Sequence, residues 1–158
     1  RVECLAKEIR ELRSAVEPHS ADLVVCNPPY FPAGSRRPSK NAERASARHE
    51  LHGTLADFVR AAAYVLDQRG WLKVIIPPLR LADLLDAARR TDLSVQTVRF
   101  FHSRRGDDAY LVESVLRRGG APDIRVRPPL YIYEDEHEYS KEVQSRIARA
   151  ARPRQDDT

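Results

Sequence analysis

Asp22-Leu23-Val24-Val25-Cys26-Asn27-Pro28-Pro29-Tyr30 indicates the fold class of this chain more directly than any other segment. Its apolar residues predict a buried strand over 22–26, because a short apolar run bounded by turn residues is typical of an inner strand. The strand ends at an amide, two prolines and an aromatic ring. Proline fixes the φ angle and has no N–H donor, so the carbonyl groups of this turn keep one direction. The simpler interpretation is a proline-rich turn with no chemical role.

The residue types at 27–30 are suited to binding a planar amino group. An Asn side-chain oxygen and a backbone carbonyl can each accept one N–H bond, and together they draw the nitrogen lone pair out of conjugation. The aromatic ring can stack on an extruded base. The stretch therefore resembles the (D/N/S)-P-P-(Y/F/W) signature of S-adenosylmethionine (SAM) methyltransferases that modify amino or amide nitrogens.

Composition excludes several other classes of protein. The chain has 158 residues, of which 42% are hydrophobic, so one folded domain is expected and extensive disorder is not. No apolar run approaches the roughly 20 residues of a membrane span. Cys4 and Cys26 lack metal-site spacing and are predicted to be buried reduced thiols, as in a cytoplasmic protein. A net charge of +4 is compatible with nucleic acid but does not demonstrate it.

Two absences predict that an N-terminal portion is missing. The chain contains no Met and begins at Arg1. It also has no G-x-G-x-G loop after a strand, which is the usual cofactor-binding loop.

The rest of the pattern alternates strands and helices. The predicted elements are strands at 2–5, 22–26, 71–76, 94–101, 109–116 and an extended segment at 124–133, with helices at 9–16, 41–51, 55–69, 81–88 and 139–150. Thr54 and Asp57 form a predicted capping box, and Gly70 is predicted to end that helix. Pro128-Pro129 disfavours a central strand. Alternation of strands and helices predicts an α/β fold. With its terminal hairpin, the order resembles the end of the SAM-methyltransferase fold, which implies a last strand that is antiparallel in an otherwise parallel sheet.

Over nearly its whole length, the chain resembles the bacterial tRNA (adenine-N6)-methyltransferases that modify the adenine 3′ of the anticodon in valine tRNA. The resemblance rests on D-L-V-V-C-N-P-P-Y-F (22–31), A-R-H-E (47–50), R-G-W-L-K-V-I-I-P (69–77) and P-P-L-Y-I-Y…E-Y-S-K-E-V (128–143). It implies strands 3 to 7 of a Rossmann-like SAM-methyltransferase sheet. Residues 1–150 would be a single partial domain that lacks the SAM-binding N-terminal strands, and 151–158 a disordered tail.

The resemblance also implies roles for individual residues. Asn27 and the Pro28 carbonyl would bind the target amine, Pro29 would complete the rigid turn, and Tyr30 would stack on the base. Asn27 would also line the SAM site, with Glu8 where the family usually has an Asp near the adenine of SAM. The implied cofactor is SAM, the implied partner is tRNA, and the complete enzyme would be a cytoplasmic monomer with no metal and no membrane contact.

Basic residues follow the Asn27 turn closely in sequence. Their position predicts contacts with RNA phosphates, although a solvated Arg-rich loop is the alternative. The residues in question are Arg36, Arg37, Lys40, Arg44 and Arg48.

Three further charged segments have no assigned role. His49-Glu50 could be a general base, but a helix-packing pair is the preferred interpretation. His102, Arg104 and Arg105 are either RNA contacts or a solvated hairpin tip. The acidic run 134–138 is predicted to be a solvated loop, because a metal site needs convergent rather than consecutive carboxylates.

Two alternatives to a tRNA methyltransferase remain open. A protein-glutamine N5-methyltransferase of release factors uses the same N-P-P-Y motif on an amide, although the basic stretch and the P-P-L-Y-I-Y tail argue against it. The other alternative is a non-catalytic RNA-binding protein that has lost the half of the domain that binds the cofactor.

Overall fold

A computed structural model of the chain describes residues 2, 4–28, 53–121, 123–135 and 138–151. A 3-10 turn at Ile9–Ser14 comes before the first strand. The strands are β1 (Ala21–Cys26), β2 (Leu66–Ile76), β3 (Leu93–His102), β4 (Ala109–Arg118), β5 (Arg125–Val126) and β6 (Leu130–Tyr131). The helices are α1 (Leu55–Val65), α2 (Leu81–Arg89) and α3 (Lys141–Ala150), with a second 3-10 turn at Pro78–Arg80.

The strands form one mixed sheet in the order β1-β2-β4-β3-β5, and β6 also pairs with β3. β1 and β2 are parallel, whereas β4 is antiparallel to both of its neighbours. β3 therefore runs in the same direction as β1 and β2. The predicted α/β fold with the last long strand inserted antiparallel is confirmed.

α1 and α2 pack on one face of the sheet. Alternate strand residues such as Leu72, Val74, Val112 and Leu116 point into this core and are 1% exposed or less. The opposite face carries Leu23 and Val25, which are 54% and 71% exposed. Among the described residues, β1 has a single neighbouring strand, so it forms one edge of the sheet.

The start of α1 matches the sequence prediction. The Thr54 side chain accepts a hydrogen bond from the Asp57 backbone N–H, and the Asp57 carboxylate accepts one from the Thr54 N–H at 2.8 Å. Gly53 precedes the cap with φ +119°, and a Cβ there would overlap the Ile9 side chain. Glycine therefore allows the 3-10 turn to lie close against the first turn of α1.

The predicted end of α1 at Gly70 is wrong. The helix ends at Val65, and Leu66 already has extended backbone angles of φ −69° and ψ 136°. Leu66 pairs with Ala21, but the register then shifts so that Leu23 pairs with Trp71. Pairing with β1 outweighs helix propensity here, and Gly70 instead leaves room for the Leu66 side chain.

The predicted strand at 2–5 is also wrong. The described residues of that segment have no strand structure, and Cys4 is exposed rather than buried. Leu5 is exposed as well. An apolar segment becomes a strand only where a neighbour accepts its backbone hydrogen bonds, and in the described residues nothing pairs with this one. Cys26 is partly buried, as its place in β1 requires.

The segment after β4 follows the edge of β3. β5 and β6 have two residues each, and both pair in parallel with β3 on either side of Pro128-Pro129. Ser140 then caps α3 by accepting a hydrogen bond from the Val143 N–H. No helix in the described ranges is long and apolar enough to cross a bilayer. The predicted helix at 41–51 and residues 152–158 lie outside the described residues.

Candidate functional site

The carboxyl ends of three strands meet along one edge of the sheet, which we call the carboxyl edge. β1 ends at Cys26, β2 at Ile76 and β3 at His102, and all three run in the same direction. In sheets of this type, ligands bind outside the carboxyl ends of the strands. α1 leads directly into β2, so the first turn of α1 lies toward the same edge.

Asn27 and Pro28 are placed at this edge directly after β1. Asn27 is exposed, whereas Pro28 is fully buried. The buried ring fixes the backbone at the point where the chain leaves the sheet. The Asn27 amide consequently lies beside a rigid anchor and remains accessible to a ligand.

Glu8 lies on the approach to the same edge. It is exposed, and its carbonyl accepts a hydrogen bond from the Glu11 N–H at 2.9 Å at the start of the 3-10 turn. The Arg10 guanidinium donates to the Asp57 carboxylate at 3.3 Å, which ties this turn to the first turn of α1. The turn that follows Glu8 is thus held against the first turn of α1, which lies toward the carboxyl edge.

Asp57 stabilises this arrangement electrostatically. Partial burial raises the pKa of its carboxyl group, but hydrogen bonds from the Thr54 backbone and side chain, Arg60 and Arg10 outweigh that effect. The resulting pKa is about 2. Asp57 is therefore an ionised structural group at neutral pH and not a proton acceptor for catalysis.

Cys26 is unsuited to nucleophilic chemistry although it lies next to Asn27. Burial raises the pKa of its thiol to about 11. A thiol rather than a thiolate is present at neutral pH, and only the thiolate is a strong nucleophile.

Several predicted site residues lie outside the described residues. These are Pro29, Tyr30, Arg36, Arg37, Lys40, Arg44, Arg48, His49 and Glu50. Their roles in base stacking and phosphate binding stay predictions. Within the described ranges, no group of His, Cys, Asp or Glu side chains is arranged to hold a metal ion.

A second set of side chains at the carboxyl edge was only partly anticipated from the sequence. We call it the aromatic–arginine cluster, and it consists of His102, Arg104, Arg105, Tyr131, Tyr133 and Tyr139. The Arg105 guanidinium lies 4.8 Å from the Tyr131 ring centre, and the Arg104 guanidinium 5.8 Å from that of Tyr133. One sequence feature could have predicted this cluster. It is the alternation of Tyr131 and Tyr133 in an extended segment, together with the Arg-rich hairpin tip.

Curated relatives match the chain in sequence over most of its length. A protein of Dickeya chrysanthemi is 31% identical over an alignment of 131 positions, which covers 78% of this chain and 49% of the relative. One from Phocaeicola vulgatus is 32% identical over 77% of this chain and 50% of the relative. One from Cytophaga hutchinsonii is 26% identical over 82% of this chain and 47% of the relative. Each is named tRNA1(Val) (adenine(37)-N6)-methyltransferase.

The chain is related to the tRNA (adenine-N6)-methyltransferases. It spans about half the length of the curated members of that family that it matches. No protein-family model matches it.

Solved structures show that the chain has the Rossmann-like fold of SAM methyltransferases. A predicted O-methyltransferase from Agrobacterium tumefaciens aligns with a TM-score of 0.66 at 19% identity, covering 91% of this chain and 57% of that one. A putative DNA modification methylase from Thermus thermophilus, solved in complex with SAM, aligns with a TM-score of 0.52 at 15% identity. The alignment covers 90% of this chain and 71% of that one. The sequence similarity to tRNA (adenine-N6)-methyltransferases and the methyltransferase fold thus agree.

Proposed function

We propose that the protein containing this chain transfers a methyl group from SAM to the N6 amine of an adenine in tRNA, beside the anticodon, in the cytoplasm. The observation that carries this proposal is the exposed Asn27 amide anchored by the buried Pro28 at the carboxyl edge. The names of the curated relatives support the choice of tRNA over a release factor.

Asn27 and Pro28 act on the target amine. The Asn27 side-chain oxygen and the Pro28 carbonyl each accept one N–H bond from it, so the nitrogen lone pair turns away from the adenine ring. These acceptors are fixed before the substrate binds, which favours the transition state because little reorganisation is needed. The extra proton of the methylated amine leaves to water, so no basic side chain is required.

The residues available for SAM are consistent with a partial binding site. Glu8 is exposed just before the 3-10 turn, and its carboxylate is suited to accepting N–H bonds from the adenine of SAM. Asn27 lies at the carboxyl edge, where it would line the SAM site as well as bind the target amine. When bound, SAM supplies an electrophilic methyl group. Tyr30 and the five basic residues from Arg36 to Arg48 are proposed to stack on the base and to bind phosphates.

Methylation of RNA with defined variants tests this proposal. The protein is incubated with tRNA and methyl-labelled SAM, and the digested RNA is analysed for N6-methyladenosine. Asn27→Ala is expected to lower kcat by about 10²–10³, the usual effect of losing one preorganised polar partner, with little change in SAM affinity. Gln68→Ala is the matched control, because Gln68 is an exposed amide near the start of β2, away from the carboxyl edge.

The result also separates the alternatives. Transfer of label to a glutamine of a release factor, and not to tRNA, would overturn the choice of substrate. An Asn27→Ala variant with wild-type kcat would remove Asn27 from the reaction.

A further inference from the structure

The ring of Tyr139 is held in a fixed position at the carboxyl edge. It stacks on the Tyr133 ring with 5.2 Å between ring centres and 15° between ring planes. The two residues also form an antiparallel backbone bridge, and next to it the Glu134 N–H donates to the Glu138 carbonyl at 2.9 Å. The Tyr139 carbonyl accepts a further hydrogen bond from the Gln144 side chain at 2.8 Å.

Although it is held in this way, Tyr139 is 45% exposed. One face of its ring lies against the Tyr133 ring. A rigid aromatic face presented to solvent loses little conformational entropy when a flat ligand stacks on it. Every nucleobase has such a flat face, which makes stacking on an aromatic residue independent of sequence.

The groove beside the segment that carries Tyr139 favours a base over a phosphate. It has a volume of about 750 Å³, enough for a nucleotide, and its lining includes Arg105, Tyr131, Lys141 and Ser140, the residue that follows Tyr139. Glu134 and Glu142 also line it, so the positive and negative charges balance. A site without excess positive charge binds phosphate weakly, whereas its aromatic and guanidinium planes can still stack on a base.

The cluster lies on the same edge as the Asn27 turn. The Ile132 and Tyr133 N–H groups donate to the His102 and Ser103 carbonyls at 2.9 and 3.0 Å, so this segment continues along the end of β3. β3 is three strand positions from β1, a lateral separation of about 14 Å. A single RNA loop can span that distance, with one base at Asn27 and another a few nucleotides away at Tyr139.

We propose that Tyr139, backed by Tyr133, is a stacking site for an unpaired nucleobase of the RNA substrate. The site captures a base next to the target and does not take part in methyl transfer. This inference rests on the proposed function, because it assigns the same RNA a second contact.

Binding of two RNAs, measured without SAM, tests the site. The first RNA is a short stem-loop with unpaired purines, and the second is a fully paired duplex of the same length, whose bases offer no free faces. Tyr139→Leu keeps apolar bulk against Tyr133 but removes the aromatic face, and Tyr139→Phe keeps that face. Tyr64→Ala is the matched control, because Tyr64 pairs with Arg13 at 4.9 Å near the opposite edge of the sheet.

We expect Tyr139→Leu to weaken stem-loop binding about 5- to 100-fold, in line with the loss of one base–aromatic stack. The slope of log K against log salt should not change, because no phosphate contact is lost. Tyr139→Phe and Tyr64→Ala should bind as wild type, and duplex binding should be the same for all variants. Wild-type stem-loop affinity in Tyr139→Leu, or an equal loss of duplex affinity, would overturn the proposal.

A methylation assay on the same variants distinguishes the two proposals. If tRNA is methylated and Tyr139→Leu raises KM with kcat unchanged, both stand. If no adenine is methylated but Tyr139→Leu still loses stem-loop affinity, the stacking site stands and the proposed function fails. If methylation occurs with wild-type KM in Tyr139→Leu, the stacking site alone fails.

Discussion

The Arg99 guanidinium binds both carboxylate oxygens of Glu142, with Nη1–Oε1 and Nη2–Oε2 distances of 2.7 Å. Arg99 is 6% exposed and also donates to the Pro128 carbonyl at 2.9 Å. α3 has no buried residue of its own. This ion pair therefore anchors α3, and with it the segment that carries Tyr139, to β3.

Glu142→Gln should loosen α3 while the sheet remains folded. A neutral amide cannot replace the bidentate charged contact, and Arg99 would remain buried with less compensation. Because Glu142 is half-exposed, we expect a local cost of about 1–2 kcal/mol. Hydrogen exchange of the α3 amides should then accelerate roughly 5- to 30-fold. Asp86→Asn, which removes an exposed pair with Arg90 on α2, should leave these rates unchanged. Unchanged α3 exchange in Glu142→Gln would contradict the anchoring role.

The same contact predicts a pH dependence. The Arg99 hydrogen bond, helped by Arg146, lowers the pKa of Glu142 to about 2, against about 4.3 in an unfolded chain. A carboxyl group with a depressed folded pKa stabilises the fold above its unfolded pKa, and this contribution is lost as pH falls toward the folded pKa. Exchange protection of α3, corrected for intrinsic rates, should therefore decline between about pH 5 and pH 2. Glu142→Gln should lack this decline, and an identical decline in that variant would assign it to another group.

Asp57→Ala should destabilise the fold by more than the loss of an ordinary surface carboxylate. It removes one half of the capping box and the ion pair with Arg10, so we expect a loss of about 1–2 kcal/mol in the free energy of unfolding. Asp83→Ala, which removes an exposed carboxylate in the first turn of α2, should cost less than about 0.5 kcal/mol. Urea denaturation of both variants measures the difference, and equal costs would show that the cap contributes little.

Ser114 and Leu116 allow a matched test of the core. Both are completely buried on the same face of β4, and within the described residues the Ser114 hydroxyl has no hydrogen-bond partner. Ser114→Ala removes a hydroxyl that was desolvated without compensation, so stability should be unchanged or rise by up to about 1 kcal/mol. Leu116→Ala should cost about 2–5 kcal/mol because it leaves a cavity. A Ser114→Ala cost above about 1 kcal/mol in urea denaturation would show that the hydroxyl has a partner.

Local patterns in the sequence predicted the elements that depend on neighbouring residues. The Thr54–Asp57 capping box and the strand before Asn27 have the expected positions. The helix predicted over 9–16 is a 3-10 turn that begins at Ile9 and ends at Ser14. The sequence features that predict these elements act over short distances. A cap acts within one turn, and a strand predicted from an apolar run ends at the turn-forming residues that bound the run. The antiparallel placement of β4 was reached through the resemblance to a family, since strand order is not a local property.

Features that depend on distant partners could be read only from the folded chain. Local sequence was enough to predict that Asn27-Pro28 follows a strand, because proline geometry and apolar runs act over a few residues. Local sequence did not show that the described residues of 2–5 form no strand, that α1 ends at Val65, or that Arg99 meets Glu142 across 43 residues. Each of these depends on which backbone or charge lies opposite in space. The same reason applies to Tyr139, whose ring is held ready for stacking only because the chain folds back and brings it onto Tyr133.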